Sequence, residues 1–394
     1  MTFYKNASRA HRVFRGFVVA FALISVAACA KGRYGPKADT EPPPGPHTLK
    51  HLSVAERQQA MERAQVWRPL PTASLDLVKG PNLGSLRIPS QVTCDFVNPD
   101  KPLTGNTPKF ICDLGKGDTV KVKYGEKNGE VYAETAGSRL LWALGFQSDV
   151  MYPTRVTCRG CPDDPFAASK GAWKKDYAKQ AGTTKVFYPA VIERAGGSSI
   201  ETPGYEGWAW PELDKIGNAP GGATRAQLDA LKLLAVFIQH SDSKPEQQEI
   251  VCADGAKQKG AKGDESCASA WLVIKDLGVT FGKATKLDNS KMNLSDWEGA
   301  GIWKDAKQCV GDLPRSFTGS LEDPKISEAG RKFLADQLMK LRDRQIRDLF
   351  VVSNVVRRGE QIEVDGKKRP VTVDDWVRVF KKKRAEIVTA HCPA

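Results

Sequence analysis

His240-Ser241-Asp242-Ser243-Lys244-Pro245-Glu246-Gln247-Gln248 is the stretch on which the reading of the whole chain turns. It follows residues 224–239, where Leu228, Leu231, Leu234, Ala235 and Ile238 recur at the helical period. A long amphipathic helix therefore delivers a polar loop. Alone, that loop is ordinary turn chemistry, Asp-Ser-Lys-Pro at a helix end. Its context carries more. Residues 250–252 and 271–275 read as two short buried strands, and the second runs directly into Asp276-Leu277-Gly278. The order of helix, His-x-Asp loop, strand, hairpin, strand and Asp-x-Gly turn offers two carboxylates at neighbouring loop ends.

The string His-x-Asp-x-Lys-Pro-Glu resembles the catalytic loop of protein kinases. The segment Ile274-Lys275-Asp276-Leu277-Gly278-Val279-Thr280-Phe281-Gly282 is similar to their Asp-Phe-Gly turn. It looks closer still to the Asp-Phe-Gly-x-x-x-Gly version of phosphatidylinositol kinases. The resemblance, to the kinase-like superfamily that includes HipA-type, phosphatidylinositol and secretory-pathway kinases, runs in order over residues 90–285. It implies a two-lobed α+β fold, with a small antiparallel β-rich N-lobe and a helical C-lobe. It also implies ATP and magnesium (or manganese) as cofactors. Phosphoryl transfer asks for positioning and charge neutralisation more than covalent work, so each motif has a job. Asp242 would meet the acceptor hydroxyl, Lys244 the γ-phosphate, and His240 would complete the catalytic set. Asp276 and Gln247 would hold metal.

Upstream residues fit the same plan. Val120-Lys121-Val122-Lys123 occupies the place of the family's Val-Ala-Ile-Lys strand, so Lys123, with Lys121 beside it, would reach the nucleotide phosphates. The next helix offers Glu130 and Glu134 on one face, and Glu134, a full turn inside, is the expected partner of Lys123. The loop 98–109, with Gly105-Asn106-Thr107, falls where a phosphate-covering loop belongs, making Gly105 and Thr107 candidate nucleotide contacts. The plainer reading of Lys121 and Lys123 is the solvated face of an amphipathic strand. The sequence also departs from the family. Gln247 stands where an Asn serves as second metal ligand, there is no Gly-x-Gly-x-x-Gly loop and no Ala-Pro-Glu segment, and a cysteine-flanked hairpin lengthens the gap from Asp242 to Asp276.

Local patterns supply the remaining elements. Ser53-Val54-Ala55-Glu56 is a capping box that opens a helix reaching about Val66. Residues 91–96, 109–114 and 119–124 read as strands, the last alternating as Thr-Val-Lys-Val-Lys-Tyr. Residues 130–144 read as a helix stopped by Gly145. A loop around Cys158 and Cys161 precedes a strand over 186–194, and residues 327–357 and 373–388 read as helical. Strands early and helices late predict an α+β chain of two lobes, with an N-terminal helix and β-rich lobe over 51–215 and a helical lobe over 216–394.

Lys5, Arg9, Arg12 and Arg15 precede an apolar run over 17–28, too short to span a bilayer and suited to a signal-peptide core. Val26-Ala27-Ala28-Cys29 resembles a bacterial lipobox, which implies a signal peptide over 1–28 and lipidation of Cys29. An ordinary secretory signal cleaved nearby is the alternative. Residues 29–50, rich in proline, read as a tether. The remaining cysteines number eight, an even count that suits disulfides in an exported chain. The simplest pairing is sequential: Cys94 with Cys112, Cys158 with Cys161, Cys252 with Cys267, Cys309 with Cys392. The expected location is the cell envelope, periplasmic or extracellular face, with the membrane reached through the lipid anchor.

The net charge of +13 is well mixed, with Lys381-Lys382-Lys383-Arg384 the one basic run, so no nucleic-acid partner is expected. A monomer is the expected state. The acceptor stays open among protein, lipid head group and glycan. Two other functions are carried forward. One is a kinase-like binding or scaffold lipoprotein without catalysis. The other is a thiol-disulfide protein using Cys158-Arg159-Gly160-Cys161, although Pro162-Asp163-Asp164-Pro165 starts no helix there. With eight cysteines pairing off and five histidines, zinc has no ligand set. A serine hydrolase has no Gly-x-Ser-x-Gly elbow.

Overall fold

Alternating side chains build the first lobe. In the computed structural model, β1 (Gln91–Val97), β2 (Lys109–Asp113), β3 (Thr119–Tyr124), β4 (Val150–Cys161) and β5 (Thr183–Arg194) close into a barrel in the order β1-β2-β3-β5-β4. Phe110, Val122, Val156 and Ile192 fill its interior, while every second residue of β3, Lys121 and Lys123, points away from that core. The described residues are 52–170, 182–194, 198–217, 219–252, 257–259, 265–267, 269–287 and 289–393. The signal segment, Cys29 and the tether lie outside them.

The closed barrel departs from the expected all-antiparallel β-rich lobe. Its closing pair, β1 with β4, is parallel, from Gln91 opposite Arg155 to Asp95 opposite Arg159. The loop expected at Cys158 and Cys161 is instead the end of β4. Arg159-Gly160 looks like a turn in sequence, yet β4 runs twelve residues with register shifts at Thr154/Val156 and Cys158/Cys161. Such bulges bend a strand, which lets β4 pair with β5 on one side and β1 on the other.

A second core organises the helices. It gathers α1 (Val54–Arg63), α2 (Gly129–Leu144), α4 (Arg225–Phe237), α5 (Leu294–Gly299), α6 (Glu328–Met339), α7 (Asp343–Val352) and α8 (Val373–Thr389), with Trp297, Phe350, Trp376 and Phe380 at its centre. A short α3 (Pro165–Lys170) follows β4. The N-cap Ser53 and Glu56 form the capping box that starts α1. Gly145, at φ 90°, ends α2 in the left-handed conformation glycine adopts without strain. The helical reading of 327–357 is interrupted between α6 and α7, where Arg342 is extended and caps a new helix.

Small sheets join the helices. β6 (Ser198–Ser199), β7 (Gln248–Cys252) and β10 (Ala270–Ile274) form one of them, in the order β10-β7-β6. The others are the hairpins β8 (Lys257–Lys259) with β9 (Glu265–Cys267), β11 (Trp303–Asp305) with β12 (Val310–Gly311), and β13 (Gln361–Val364) with β14 (Lys367–Pro370). The chain is thus α+β, with one apolar core inside the barrel and another among the helices.

All four sequential disulfides form, 94–112, 158–161, 252–267 and 309–392. Such a set fits an oxidising, non-cytoplasmic compartment. Among the described residues, no helix is long and apolar enough to cross a membrane. The basic run lies on α8 and its charges are spread among different partners. Lys381 bonds Asp343, Lys382 sits 3.6 Å from Glu298, Lys383 donates to the Ala300 carbonyl, and Arg384 donates to the carbonyls of Leu338 and Leu341.

Candidate active site

Strand β3 and helix α2 bring the first pair together. Asn128 caps α2 through the Glu130 amide, which sets Glu134 one turn in, facing β3. Lys123 donates to Glu134, and both are buried. Asp276 Oδ2 lies 3.7 Å from the same ammonium and Glu193 Oε2 lies 4.0 Å from it. Burial works against the Lys123 ammonium, yet the surrounding carboxylates hold its pKa well above the usual lysine range. Burial likewise opposes the charge on Asp276. Lys123 and the Gly278 amide, which donates to Oδ1 at 2.9 Å, outweigh it and keep Asp276 ionised. Glu134, with no exposed surface, is pushed upward by burial despite Lys123.

Lys121 bonds Glu193 at 2.6 Å, so it joins the cluster through that carboxylate rather than at Glu134. Neither Glu193 nor Lys109 lies in a sequence motif. Glu193 stands opposite Lys121 and Lys109 opposite Lys123 across the barrel strands, contacts that strand register alone reveals. Burial and then the two neighbouring lysines lower the Lys109 pKa. Gly105, at φ 80°, lies close over Lys109: a Cβ there would stand 3.2 Å from its Nζ. Thr107 is buried and donates to Glu130, which also binds Lys291 at 2.6 Å. The loop bearing Gly105 and Thr107 therefore folds onto the lysine face and the start of α2, with the Thr107 hydroxyl already engaged.

The second carboxylate arrives from α4. Past Gln239, at φ 53°, the chain turns into the His240–Gln248 loop. Backbone bonds stitch this loop to the Asp276 turn: Phe281 N donates to Ile238 O, Ser241 N to Val279 O, and Lys275 N to Gln247 O. A segment that drew no notice in sequence clamps the other side. Ser316 Oγ donates to Ser241 O at 2.7 Å, Ser320 Oγ to Ser243 O at 2.6 Å, and the amides of Ser320 and Leu321 to Ser243 Oγ at 3.1 Å. Asp242 is held at the loop's open edge, with Lys244 Nζ at 3.7 Å and Gln247 Nε2 donating at 3.3 Å. Burial raises its pKa, against the pull of Lys244.

His240 needs correction as a catalytic residue. It is fully buried beside Trp210, ring centroids 6.1 Å apart, and neither ring nitrogen finds a hydrogen-bond partner. Burial drives its pKa to about 4. A neutral imidazole with no exposed surface touches no substrate, so its part is to shape the loop.

The fit to a metal can be judged from the donors. Among the described residues, no group of three or more His, Cys, Asp and Glu side chains surrounds a common point. Magnesium, however, is commonly held by one or two carboxylates together with phosphate oxygens and water. Asp276, ionised and with its side chain 25 % exposed, suits that role. Gln247 turns its nitrogen, not its oxygen, toward Asp242.

The cysteines of the Cys-x-x-Cys sequence are both buried on β4 and joined to each other. They do not sit at a helix N-terminus, the setting that activates a thiol.

No known protein family matches this chain in sequence, and no curated protein does. Among solved structures it is similar to the proinflammatory kinase CtkA of Helicobacter pylori. The identity is 10%, the TM-score is 0.37, and the match covers 75% of this chain and 93% of that one. That likeness is too distant to carry fold or function.

Proposed function

We propose that this chain is an extracytoplasmic, ATP- and magnesium-dependent phosphotransferase, tethered to the envelope through a lipid on Cys29. The supporting observation is the convergence of Lys123, Glu134 and Asp276 on one ammonium, with the Asp242 loop bonded through its backbone to the Asp276 turn. Lys123, oriented by Glu134, would bind the nucleotide phosphates, and Asp276 would hold the metal that offsets their charge. Gly105 and Lys109 lie over the same lysine face and would close on the phosphates. Asp242, its pKa raised by burial, would take the proton of an acceptor hydroxyl as that oxygen attacks the terminal phosphorus and the bond to ADP breaks. Lys244 would steady the departing phosphoryl group. The acceptor is a hydroxyl on a protein, a lipid head group or a glycan.

A second reading, nucleotide binding without transfer, is favoured by Gln247. Its amide nitrogen donates to Asp242, and the side chain is one methylene longer than the family's Asn, which displaces the amide oxygen that would serve as second metal ligand. Transfer of labelled γ-phosphate from ATP to envelope fractions separates the two. An active enzyme loses transfer about a hundredfold or more in Asp242→Asn while keeping nucleotide affinity. Wild-type protein that binds nucleotide but labels nothing supports the second reading.

A further inference from the structure

Behind α2 the surface gathers apolar side chains and cations that the cleft does not use. A half-open cavity of about 390 Å³ lies between the barrel, α2 and the end of α7. Val78, Tyr188 and Val351 line it and are 48 %, 39 % and 46 % exposed. Val186 stands two residues before Tyr188 on β5, on the same outward face. Leu86 and Val356 are exposed beside Arg87 and Arg357 in the chain. Half of the exposed large apolar side chains among the described residues thus collect around one opening, whereas such residues ordinarily scatter singly.

Cations surround the same opening. Lys79 and Arg87 line it, and among the described residues no Asp or Glu does. The guanidiniums of Arg155 and Arg357 lie 4.6 and 4.7 Å from the centre of the Tyr188 ring. Asp76, 3.7 Å from Lys79, and Glu126, 3.9 Å from Arg357, offset part of this charge and leave the face positive. Apolar groups, a tyrosine and basic residues on one face are the make-up of surfaces that lie in a membrane interface. Each basic residue held against anionic lipid contributes about 1 kcal/mol. An acidic protein segment would meet the same charges, but the apolar groups here come from the loop before β1, from β5, from α7 and from the turn after it. That spread suits a broad surface better than one strand or helix. Residues 29–50, at up to about 3 Å each, leave slack for this face to reach a bilayer. We infer that this face docks on an anionic lipid bilayer, with Lys79, Arg87, Arg155 and Arg357 at the head groups and Val78, Leu86 and Val351 entering beneath them. The contact is separate from the phosphotransferase cleft and does not depend on that reading.

Hydroxyl-radical footprinting of the full-length protein tests it, with vesicles of phosphatidylcholine, with vesicles of phosphatidylglycerol and with soluble polyglutamate. On phosphatidylglycerol, oxidation of Tyr188 and Leu86 slows at least about threefold relative to phosphatidylcholine, while Phe317 and Met339, exposed elsewhere, keep their rates. Lys79→Glu combined with Arg87→Glu removes the protection. Val351→Asp, which keeps all four cations, removes it too and guards against misfolding of the first variant. The inference is overturned if Tyr188 and Leu86 oxidise equally on both lipids, or if Phe317 and Met339 are protected as strongly. It is overturned too if either variant, folded by circular dichroism, is protected like wild type. Protection by polyglutamate but not by phosphatidylglycerol overturns it in favour of an acidic protein partner.

Discussion

Glu134 and Arg139 leave the same helix five residues apart, about 140° around its axis. Both end buried, yet they are treated in opposite ways. Glu134 meets Lys123, which also faces Asp276 and Glu193. Arg139 finds no acceptor for Nε or Nη1. Buried charge therefore has two outcomes on this helix. On the Lys123 side, opposite charges compensate one another within the chain. On the far side that compensation is missing, and the guanidinium is left to the ring of Tyr152, 5.5 Å from its Cζ. His240 shows a third route: buried without partners, it sheds its charge, which a guanidinium cannot do.

The largest expected effect comes from breaking the compensated side. Lys123→Met leaves three carboxylates facing one another and should cost about 3–5 kcal/mol in urea unfolding with the disulfides intact. A loss below about 1 kcal/mol would mean the cluster is solvated and the contrast with Arg139 is false.

His240 sharpens the comparison through pH. Its folded pKa of about 4 lies below the ordinary histidine value of 6.5. The unfolded chain therefore takes up a proton in that window that the folded chain refuses. Stability present above pH 6.5 is lost as the pH falls toward 4, by about 3 kcal/mol. In His240→Leu this part of the acid destabilisation should vanish. Equal pH slopes for wild type and variant would show that the imidazole charges freely in place.

The smallest effect, and the one of opposite sign, belongs to Arg139. Without ligand, Arg139→Met replaces an uncompensated charge by apolar volume and should raise stability by about 1 kcal/mol. A loss comparable to that of Lys123→Met would reveal a partner for the guanidinium within the chain.

The sequence made some of this readable, for physical reasons. The period-two alternation of Thr119–Tyr124 separates the lysine face from the core face, and the helix over 130–144, stopped by Gly145, is bounded closely enough to place Glu134 opposite Lys123. Sequential cysteine pairing was legible because each of the first three loops is short. Barrel closure was not, since it rests on a parallel pairing of β1 with a strand whose Arg159-Gly160 looks like a turn. Glu193 and Lys109 were hidden because only register puts them beside Lys121 and Lys123. The serines at 316 and 320 clamp Ser241 and Ser243 from more than seventy residues away, a contact no local pattern announces. Arg139 was hidden for a related reason: it follows Ser138 on a helix that also carries Glu130 and Glu134, and its lack of an acceptor is a property of the elements around it.

The central claim is best tested by calorimetry of ATP, with magnesium and then manganese, against wild-type protein and Asp276→Asn. Metal-dependent binding to the wild type, weakened at least about tenfold in the variant, is the expected result. Absence of binding with either metal, or binding indifferent to both metal and Asp276, would contradict it.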